Sequence, residues 1–203
     1  MVYGRRLDGD SLDFMHSGML WRDGLVLQDR HTGSLWSQTS GEAIEGPLTG
    51  KRLERLPAEV TLWNDWSTRH PDTLVLASDK ARRKLLLRLY PRSDAMLGML
   101  GTKNPDPRLA GKELIAGFES GDDRVAVVLK RKAVPQEARL VVDGRPIVLR
   151  HAGGDGPTRA WLSTGEPEWE PLDPLPARVM YWFVWSALYP ESRIVRAEEV
   201  APR

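Results

Sequence analysis

The sequence contains no cysteine, no long apolar run and no excess of charge of either sign. The absence of cysteine excludes disulfides, thiolate nucleophiles and cysteine-bound metals. Every apolar run is shorter than the roughly 20 residues that a membrane-spanning helix needs. A net charge of +1 over 203 residues indicates neither a basic nucleic-acid-binding surface nor an acidic tail. We therefore expect no nucleic-acid partner and no membrane span.

Motifs that mark well-known catalytic sites are also missing. The sequence has no nucleophile elbow, no phosphate-binding P-loop and no dinucleotide-binding glycine pattern. It also lacks the histidine and carboxylate spacings of common metal sites. We therefore predict no cofactor and no metal ion, assign no catalytic residue, and leave open whether the protein is an enzyme.

The N-terminal segment, MVYGRRLDGD, has no apolar core of the kind found in secretory signal peptides. On the chain as given we expect a cytoplasmic protein. An extracytoplasmic location becomes the alternative if a further segment precedes Met1 in the natural protein.

Turn signals at short intervals predict a mainly β fold of the α+β class, built from antiparallel strands. Asp-Gly pairs at 8–9 and 143–144 stand between strand-like segments, as in β-hairpins. Residues 101–112, with two prolines and two glycines, are predicted to be a linker. They divide the chain into a first β-rich lobe, residues 1–100, and a second β-rich lobe, residues 113–203.

Two segments predict short tryptophan-rich helices. Residues 57–70 begin with a proline suited to a first helical turn, and Trp63 and Trp66 lie close to one stripe. Residues 177–189 are apolar on almost every side, which is typical of a buried core helix. The alternative for this second helix is a surface that docks on a protein partner or a membrane. Residues 79–91 fit a helix or a strand equally.

The two predicted helices belong to a pattern that occurs twice. The segments LWNDWSTRHPDTLVL and YWFVWSALYPESRIV share Trp-x-x-Trp, then a proline, an acid, a hydroxyl residue and an apolar strand. Trp63, Trp66 and Pro71 thus correspond to Trp182, Trp185 and Pro190. A recurring β-plus-helix pattern predicts two related lobes.

Ordered segments across nearly the whole chain resemble a prokaryotic family known only as a domain of unknown function. The likeness lies in D-R-x-T-x-S-x-W-x-Q, in the following G-x-A-x-x-G-P-L-x-G, and in the Trp/Phe-rich final helix. The resemblance implies no settled activity. Members of that family typically carry an upstream Cys-Pro-x-Cys motif. This cysteine-free chain lacks the motif, so the resemblance implies no thiol or cysteine-metal chemistry here.

The stretch DRHTGSLWSQ, residues 29–38, is the predicted functional surface. In one interpretation its residues are structural: Asp29 caps a turn and Arg30 pairs with a surface acid. In the other, Arg30 binds an anionic ligand while the serine, tryptophan and glutamine that follow line one wall of a pocket. The candidate ligand-binding set is His16, Asp29, Arg30, Ser34, Trp36 and Gln38.

The missing catalytic motifs and the balanced charge favour a non-enzymatic binding or assembly module, such as an accessory subunit of a larger complex. Its partner is expected to be a protein that contacts residues 179–189 or another tryptophan-rich surface. Two alternatives remain. One is an enzyme or small-ligand-binding protein with a polar pocket in residues 29–38. The other is a metal binder that uses histidines such as His16 and His151.

Overall fold

The computed structural model describes residues 1–58, 61–75, 97–98, 104–130, 134–153 and 156–199. These residues form a mainly antiparallel β structure with two short helices, which confirms the predicted fold class. The ambiguous segment at 79–91 lies outside the described residues, as does the start of the predicted linker at 101–112.

The described part of the chain before residue 76 contains eight short strands and one helix. They are β1 (Val2–Tyr3), β2 (Arg6–Leu7), β3 (Asp10–Ser11), β4 (Phe14–Trp21), β5 (Gly24–Asp29), β6 (Leu35–Ser37), β7 (Ala43–Glu45), β8 (Arg55–Leu56) and α1 (Trp63–Arg69). Strands β4 to β7 form an antiparallel meander, and β1 pairs with β8. Asp8 and Gly9, between β2 and β3, both have positive φ, as a tight two-residue hairpin requires. The predicted turn at 8–9 is therefore confirmed.

The described residues after 104 form a larger set of strands around a second helix. They are β9 (Leu114–Ser120), β10 (Asp123–Val128), β11 (Gln136–Val142), β12 (Arg145–His151), β13 (Thr158–Ser163), β14 (Pro171–Leu175), β15 (Arg178–Tyr181), α2 (Trp182–Leu188), β16 (Arg193–Arg196) and β17 (Glu198–Glu199). One sheet has the order β15-β9-β10-β16, with β16 parallel to β10. The other has the order β14-β13-β12-β11-β17, and its strands β11 to β14 form a second antiparallel meander.

Both predicted helices exist, but both begin later than predicted. The helix expected near 57–70 begins at Trp63, after an extended Leu62. The helix expected near 177–189 begins at Trp182, because Arg178–Tyr181 pairs with β9 as strand β15. A short apolar run is compatible with either structure, and here the pairing with a neighbouring strand decided the outcome.

The larger described core is built from residues after 108, in three layers. Because successive side chains of a strand point to opposite faces, Val125 and Val127 of β10 face the other sheet, while Ala126 and Val128 face α2. Sheet β15-β9-β10-β16 is thus covered on both sides. A smaller buried cluster in the N-terminal part of the chain is built from Leu12, Trp36 and Ala43.

Candidate functional site

The first candidate, the turn that follows β5, is organised around the carboxylate of Asp29. This side chain is completely buried. It accepts hydrogen bonds from the backbone N–H groups of His31 and Thr32, at 3.1 and 2.7 Å. It also accepts one from the indole N–H of Trp36 at 3.0 Å. Burial alone would raise the pKa of Asp29, but the bonds from Thr32 and Trp36 outweigh it and hold the pKa below its usual value.

Ser34 extends this network to the following loop. Its hydroxyl lies 2.6 Å from that of Thr32 and accepts a hydrogen bond from the backbone N–H of Leu48 at 3.1 Å. Gly46 passes close by, since a Cβ atom there would lie 2.8 Å from the Ser34 Cα. Gly46 also has φ +97°, a conformation that favours glycine. The D-x-x-T-x-S-x-W pattern and the G-P-L segment therefore hold each other in place.

The other predicted site residues do not join this network. His16 is exposed on β4, and Gln38 is partly exposed. The Arg30 guanidinium is 57% exposed and lies 3.4 Å from the Asp13 carboxylate. The structure thus brings Asp29, Ser34 and Trp36 together through internal hydrogen bonds and leaves His16 and Arg30 at the surface. An adjacent cavity of about 320 Å³ is lined instead by Leu7, Asp8, Asp10, Ser11, Leu12, His31, Thr32 and Leu48.

A second candidate, not predicted from the sequence, is a buried cluster that we name the arginine centre: Arg55, Glu119, Arg124 and Arg178. Arg178 of β15 is 1% exposed. Its guanidinium lies over the rings of Trp185 and Tyr189, with centroid distances of 4.6 and 5.0 Å. It donates to the backbone carbonyl of Thr39 at 3.1 Å and so connects two segments that are far apart in the chain. Cation–π contacts of this kind are strongest when they are desolvated.

Glu119 supplies the only carboxylate of the arginine centre. Its Oε1 atom lies 3.1 Å from Nη2 of Arg178 and accepts a hydrogen bond from Arg55, while Oε2 lies 3.6 Å from Nε of Arg124. Burial alone would raise the pKa of Glu119, but Arg178 and Arg55 outweigh it and keep the pKa below its usual value. Burial lowers the pKa of Arg178, although a guanidinium remains charged in proteins.

The arginine centre therefore has more positive than negative charge in a buried setting. Among the described residues, the Nε atoms of Arg55 and Arg178 are buried and have no hydrogen-bond acceptor. A cavity of about 80 Å³ is bounded by both arginines and otherwise mainly by apolar side chains, including Met1, Val2 and Leu56. Buried donors without an acceptor are costly, and the Oε2 atom of Glu119 in the same cluster is likewise buried without a hydrogen-bond donor.

Sequence reasoning missed the arginine centre because its members lie far apart in the chain. One signal was present: Arg178 stands alone in the apolar run A-R-V-M-Y-W-F. A charged residue in a buried apolar segment usually has a specific partner. The sequence gives no means of identifying Glu119 as that partner.

The third feature is the pair of tryptophan helices, which have the same local structure. Each has seven residues and follows one extended residue, with φ −72° and ψ 148° before α1 and φ −77° and ψ 147° before α2. Trp66 donates its indole N–H to the hydroxyl of Thr73 at 2.9 Å, and Trp185 donates to that of Ser192 at 2.8 Å. The predicted correspondence between the two segments is therefore visible in backbone and side-chain geometry.

The environments of the two helices differ. Trp182 and Trp185 of α2 are 0% exposed and pack with Ile115, Ala126 and Val128 of β9 and β10. Helix α1 contains no buried residue, and Trp63, the counterpart of Trp182, is 54% exposed. Leu62, which precedes the helix, and Leu74 and Val75, which follow it in the chain, are 51, 97 and 65% exposed. We call Leu62, Trp63, Leu74 and Val75 the α1 face.

Comparison with known proteins gives a family without an assigned activity. The model of the family described as Protein of unknown function (DUF3179) matches residues 1–192, so the chain belongs to that family. No curated protein and no solved structure matches the chain. Within the described ranges, no helix has the length and hydropathy to cross a membrane. The same residues contain no cluster of three or more histidine or acidic side chains suited to a metal ion.

Proposed function

We propose that this DUF3179 chain is a non-enzymatic binding or assembly module, and that its contact surface for a protein partner is the α1 face. The sequence suggested the 179–189 helix or another tryptophan-rich surface for this role. In α2 the tryptophans belong to the core, whereas α1 presents an equivalent tryptophan to solvent. The α1 face is therefore the better candidate of the two.

The observation that supports this proposal is the exposure of Trp63. A tryptophan at 54% exposure, with leucine and valine side chains nearby in the sequence that are more than half exposed, is unfavourable in water and typical of an interaction site. Its counterpart Trp182 is fully buried by other parts of the same chain. The chain thus contains two short helices with the same Trp-x-x-Trp spacing, and among the described residues only the second is covered by a sheet.

A site-specific photo-crosslinking experiment tests this function. A photoreactive phenylalanine analogue replaces Trp63 in the full chain, expressed in its native cells. The matched control carries the same analogue at Leu172, which is 57% exposed in the other lobe. We expect one discrete adduct from position 63 that is absent from position 172. No adduct, or the same adducts from both positions, would contradict the proposal.

A second candidate function is the binding of a small inorganic anion at the arginine centre. The observation that favours it is the pair of buried Nε donors of Arg55 and Arg178 beside a cavity of about 80 Å³. This location is better supported than a pocket in residues 29–38, where Asp29, Ser34 and Trp36 already bond to one another and to nearby backbone. An enzymatic activity and a histidine-based metal site remain predictions from the sequence.

Thermal unfolding at constant ionic strength tests the anion site. The reference solution contains gluconate, an anion that is too bulky for the cavity. In the test solutions chloride, nitrate or phosphate replaces the gluconate. A specific site predicts a saturable rise in Tm with one of the small anions, because a ligand that binds only the native state stabilises it. Arg55→Met should abolish the rise. Arg52→Met, at an exposed arginine paired with Glu42, should retain it. A rise that does not saturate, or that persists in Arg55→Met, would exclude this site.

A further inference from the structure

We propose that the occupant of the α1 face is a β-hairpin of a partner protein, which lies across Trp63 and Trp66 and extends beside residues 74–75. This inference rests on the proposed binding function and specifies the chemistry of the partner. It is argued from the second copy of the same unit, where the cover of the equivalent helix is visible in this chain.

The cover of α2 is the antiparallel hairpin formed by β9 and β10. These strands pair from Asp123↔Ser120 to Val128↔Ile115, and their outer face meets the helix through Ile115, Ala126 and Val128. The side chains are small or β-branched, as suits a strand surface packed on large rings. An equivalent partner for α1 is therefore a hairpin with one small, apolar face.

A glycine makes the close approach of this hairpin possible. A Cβ atom at Gly117 of β9 would lie 2.1 Å from Cζ3 of the Trp185 ring. No larger residue fits there without moving the ring or the strand. Because Trp66 corresponds to Trp185, the hairpin that covers α1 needs a glycine opposite the Trp66 ring.

The segment that follows each helix gives the direction of the proposed pairing. After α2, strand β16 pairs in parallel with β10 through Val125↔Arg193 and Ala126↔Ile194. The counterparts of Arg193 and Ile194 are Leu74 and Val75, which are 97 and 65% exposed. Neither forms a backbone hydrogen bond with another described residue. We propose that the backbone groups of these two residues pair with an added strand, which is a recurring way of binding extended peptides.

The first experiment supplies a known hairpin to the full chain. A copy of residues 113–129 is fused to Met1 through a glycine–serine linker of about 15 residues, which spans on the order of 20 Å. Tethering raises the effective concentration of the hairpin to the millimolar range. Hydrogen exchange of the peptide that covers residues 61–75 is then measured. We expect exchange to slow at least tenfold relative to the unfused chain.

The matched control carries Gly117→Val in the tethered copy alone. If a glycine is required opposite the Trp66 ring, the valine copy should not slow hydrogen exchange of residues 61–75. If the copy binds only by unspecific apolar contact, the valine copy should slow exchange as much as the glycine copy does. Unchanged exchange with the glycine-containing copy, or equal slowing with both copies, would overturn the hairpin proposal. In the host chain Trp63→Ser should also remove the protection, and Leu172→Ser should not.

A second measurement does not depend on folding of the tethered copy. The position-63 photo-crosslinking chain also receives Val75→Pro, which removes a backbone N–H, or Val75→Thr, which retains it and keeps a β-branched side chain. Strand pairing predicts at least a tenfold loss of the adduct for proline and little loss for threonine. Equal yields would overturn the hairpin while leaving the protein-binding function in place. If position 63 gives no specific adduct at all, the binding function itself fails.

Discussion

The units built around α1 and α2 have the same local structure in opposite environments. Both contain a seven-residue helix, an extended residue before it and an indole-to-hydroxyl hydrogen bond after it. Within the part of the chain that the structure describes, only α2 has a sheet beneath it, and of the two helices only α2 has fully buried tryptophans. The comparison teaches that the two segments share the length of the helix and the turn that ends it, whereas burial depends on strands that are distant in sequence.

The largest difference between the units should appear when the first tryptophan of each is removed. Trp182→Ala removes a fully buried ring and its hydrogen bond to the Asp106 carbonyl, so we expect a loss of about 3–5 kcal/mol in the free energy of unfolding. Trp63→Ala removes a ring that is 54% exposed, and we expect a loss below about 1 kcal/mol. Denaturant unfolding of both variants measures the two values.

The interpretation of the α1 face depends on this contrast. Alanine favours helix, so neither substitution weakens the helices through intrinsic propensity. Equal losses for the two variants would mean that Trp63 is covered within the chain in solution. The α1 face would then be part of the core and unable to bind a partner.

A smaller difference is expected at the hydroxyl groups that accept from the indoles. Ser192 is 1% exposed, so Ser192→Ala leaves the Trp185 N–H buried without an acceptor, at a cost of about 1–3 kcal/mol. Thr73→Val removes the equivalent acceptor of Trp66 in a partly exposed position, where water replaces it, and should cost less than about 1 kcal/mol. Thermal unfolding checks both.

A double-mutant cycle separates the lost hydrogen bond from lost packing. Trp185→Phe removes the N–H donor while keeping an aromatic ring. If the hydrogen bond is the cause, Ser192→Ala should cost much less in the Trp185→Phe background than in the wild type. Additive effects would instead attribute the loss to the packing of Ser192 and would weaken the proposed equivalence of the two turns.

The comparison also explains how far the sequence could predict the fold. Turn residues and the repeated Trp-x-x-Trp pattern correctly indicated a mainly β structure, two helices and two related segments. The start of the second helix was wrong because Arg178–Tyr181 pairs with β9, which begins more than sixty residues earlier in the chain. Pairing between distant strands leaves no local signal, so hydrophobic periodicity alone cannot distinguish such a strand from a first helical turn.

The candidate sites follow the same division. The turn-capping role of Asp29 was one of two interpretations of residues 29–38, and its bonds to His31 and Thr32 lie within three residues. The bond from Trp36 was harder to foresee, since it requires β6 to return beside β5. The arginine centre was unpredictable because Arg55, Glu119 and Arg178 come from three distant segments. Interactions within a few residues could be predicted from the sequence, whereas interactions between distant segments could not.

The two meanders offer a further comparison at the ends of their second strands. Asp29 ends β5 and bonds to the Thr32 hydroxyl at 2.8 Å, while His151 ends β12 and lies 2.9 Å from the Thr158 hydroxyl. Both side chains are buried, with exposures of 0 and 2%. The same position at the end of the second strand thus holds a carboxylate in one meander and an imidazole in the other. The contributions of these two side chains to the free energy of unfolding should therefore change over different ranges of pH.

The smallest predicted effect is this separation of pH ranges. Burial lowers the pKa of His151, so the folded imidazole stays neutral while the unfolded one takes up a proton below about pH 6.5. Its contribution to stability is therefore present above that pH and is lost as the pH falls. Asp29 also has a lowered pKa, so its contribution is present above about pH 4, the usual unfolded value, and is lost as the pH falls through its folded pKa.

Unfolding free energies measured from pH 3 to pH 8 can distinguish the two groups, because only the slope with pH reports a titration. His151→Asn should flatten the curve as the pH falls below about 6.5, where the unfolded imidazole takes up its proton, and should leave the contribution of Asp29 in place. Asp29→Asn should flatten the curve below pH 4 and leave the upper range unchanged, even if it lowers stability at every pH. A His151→Asn curve parallel to that of the wild type would show that the imidazole has the same pKa in the folded and unfolded protein. The two strand ends would then be alike in position only, and His151 would contribute nothing to the dependence of stability on pH.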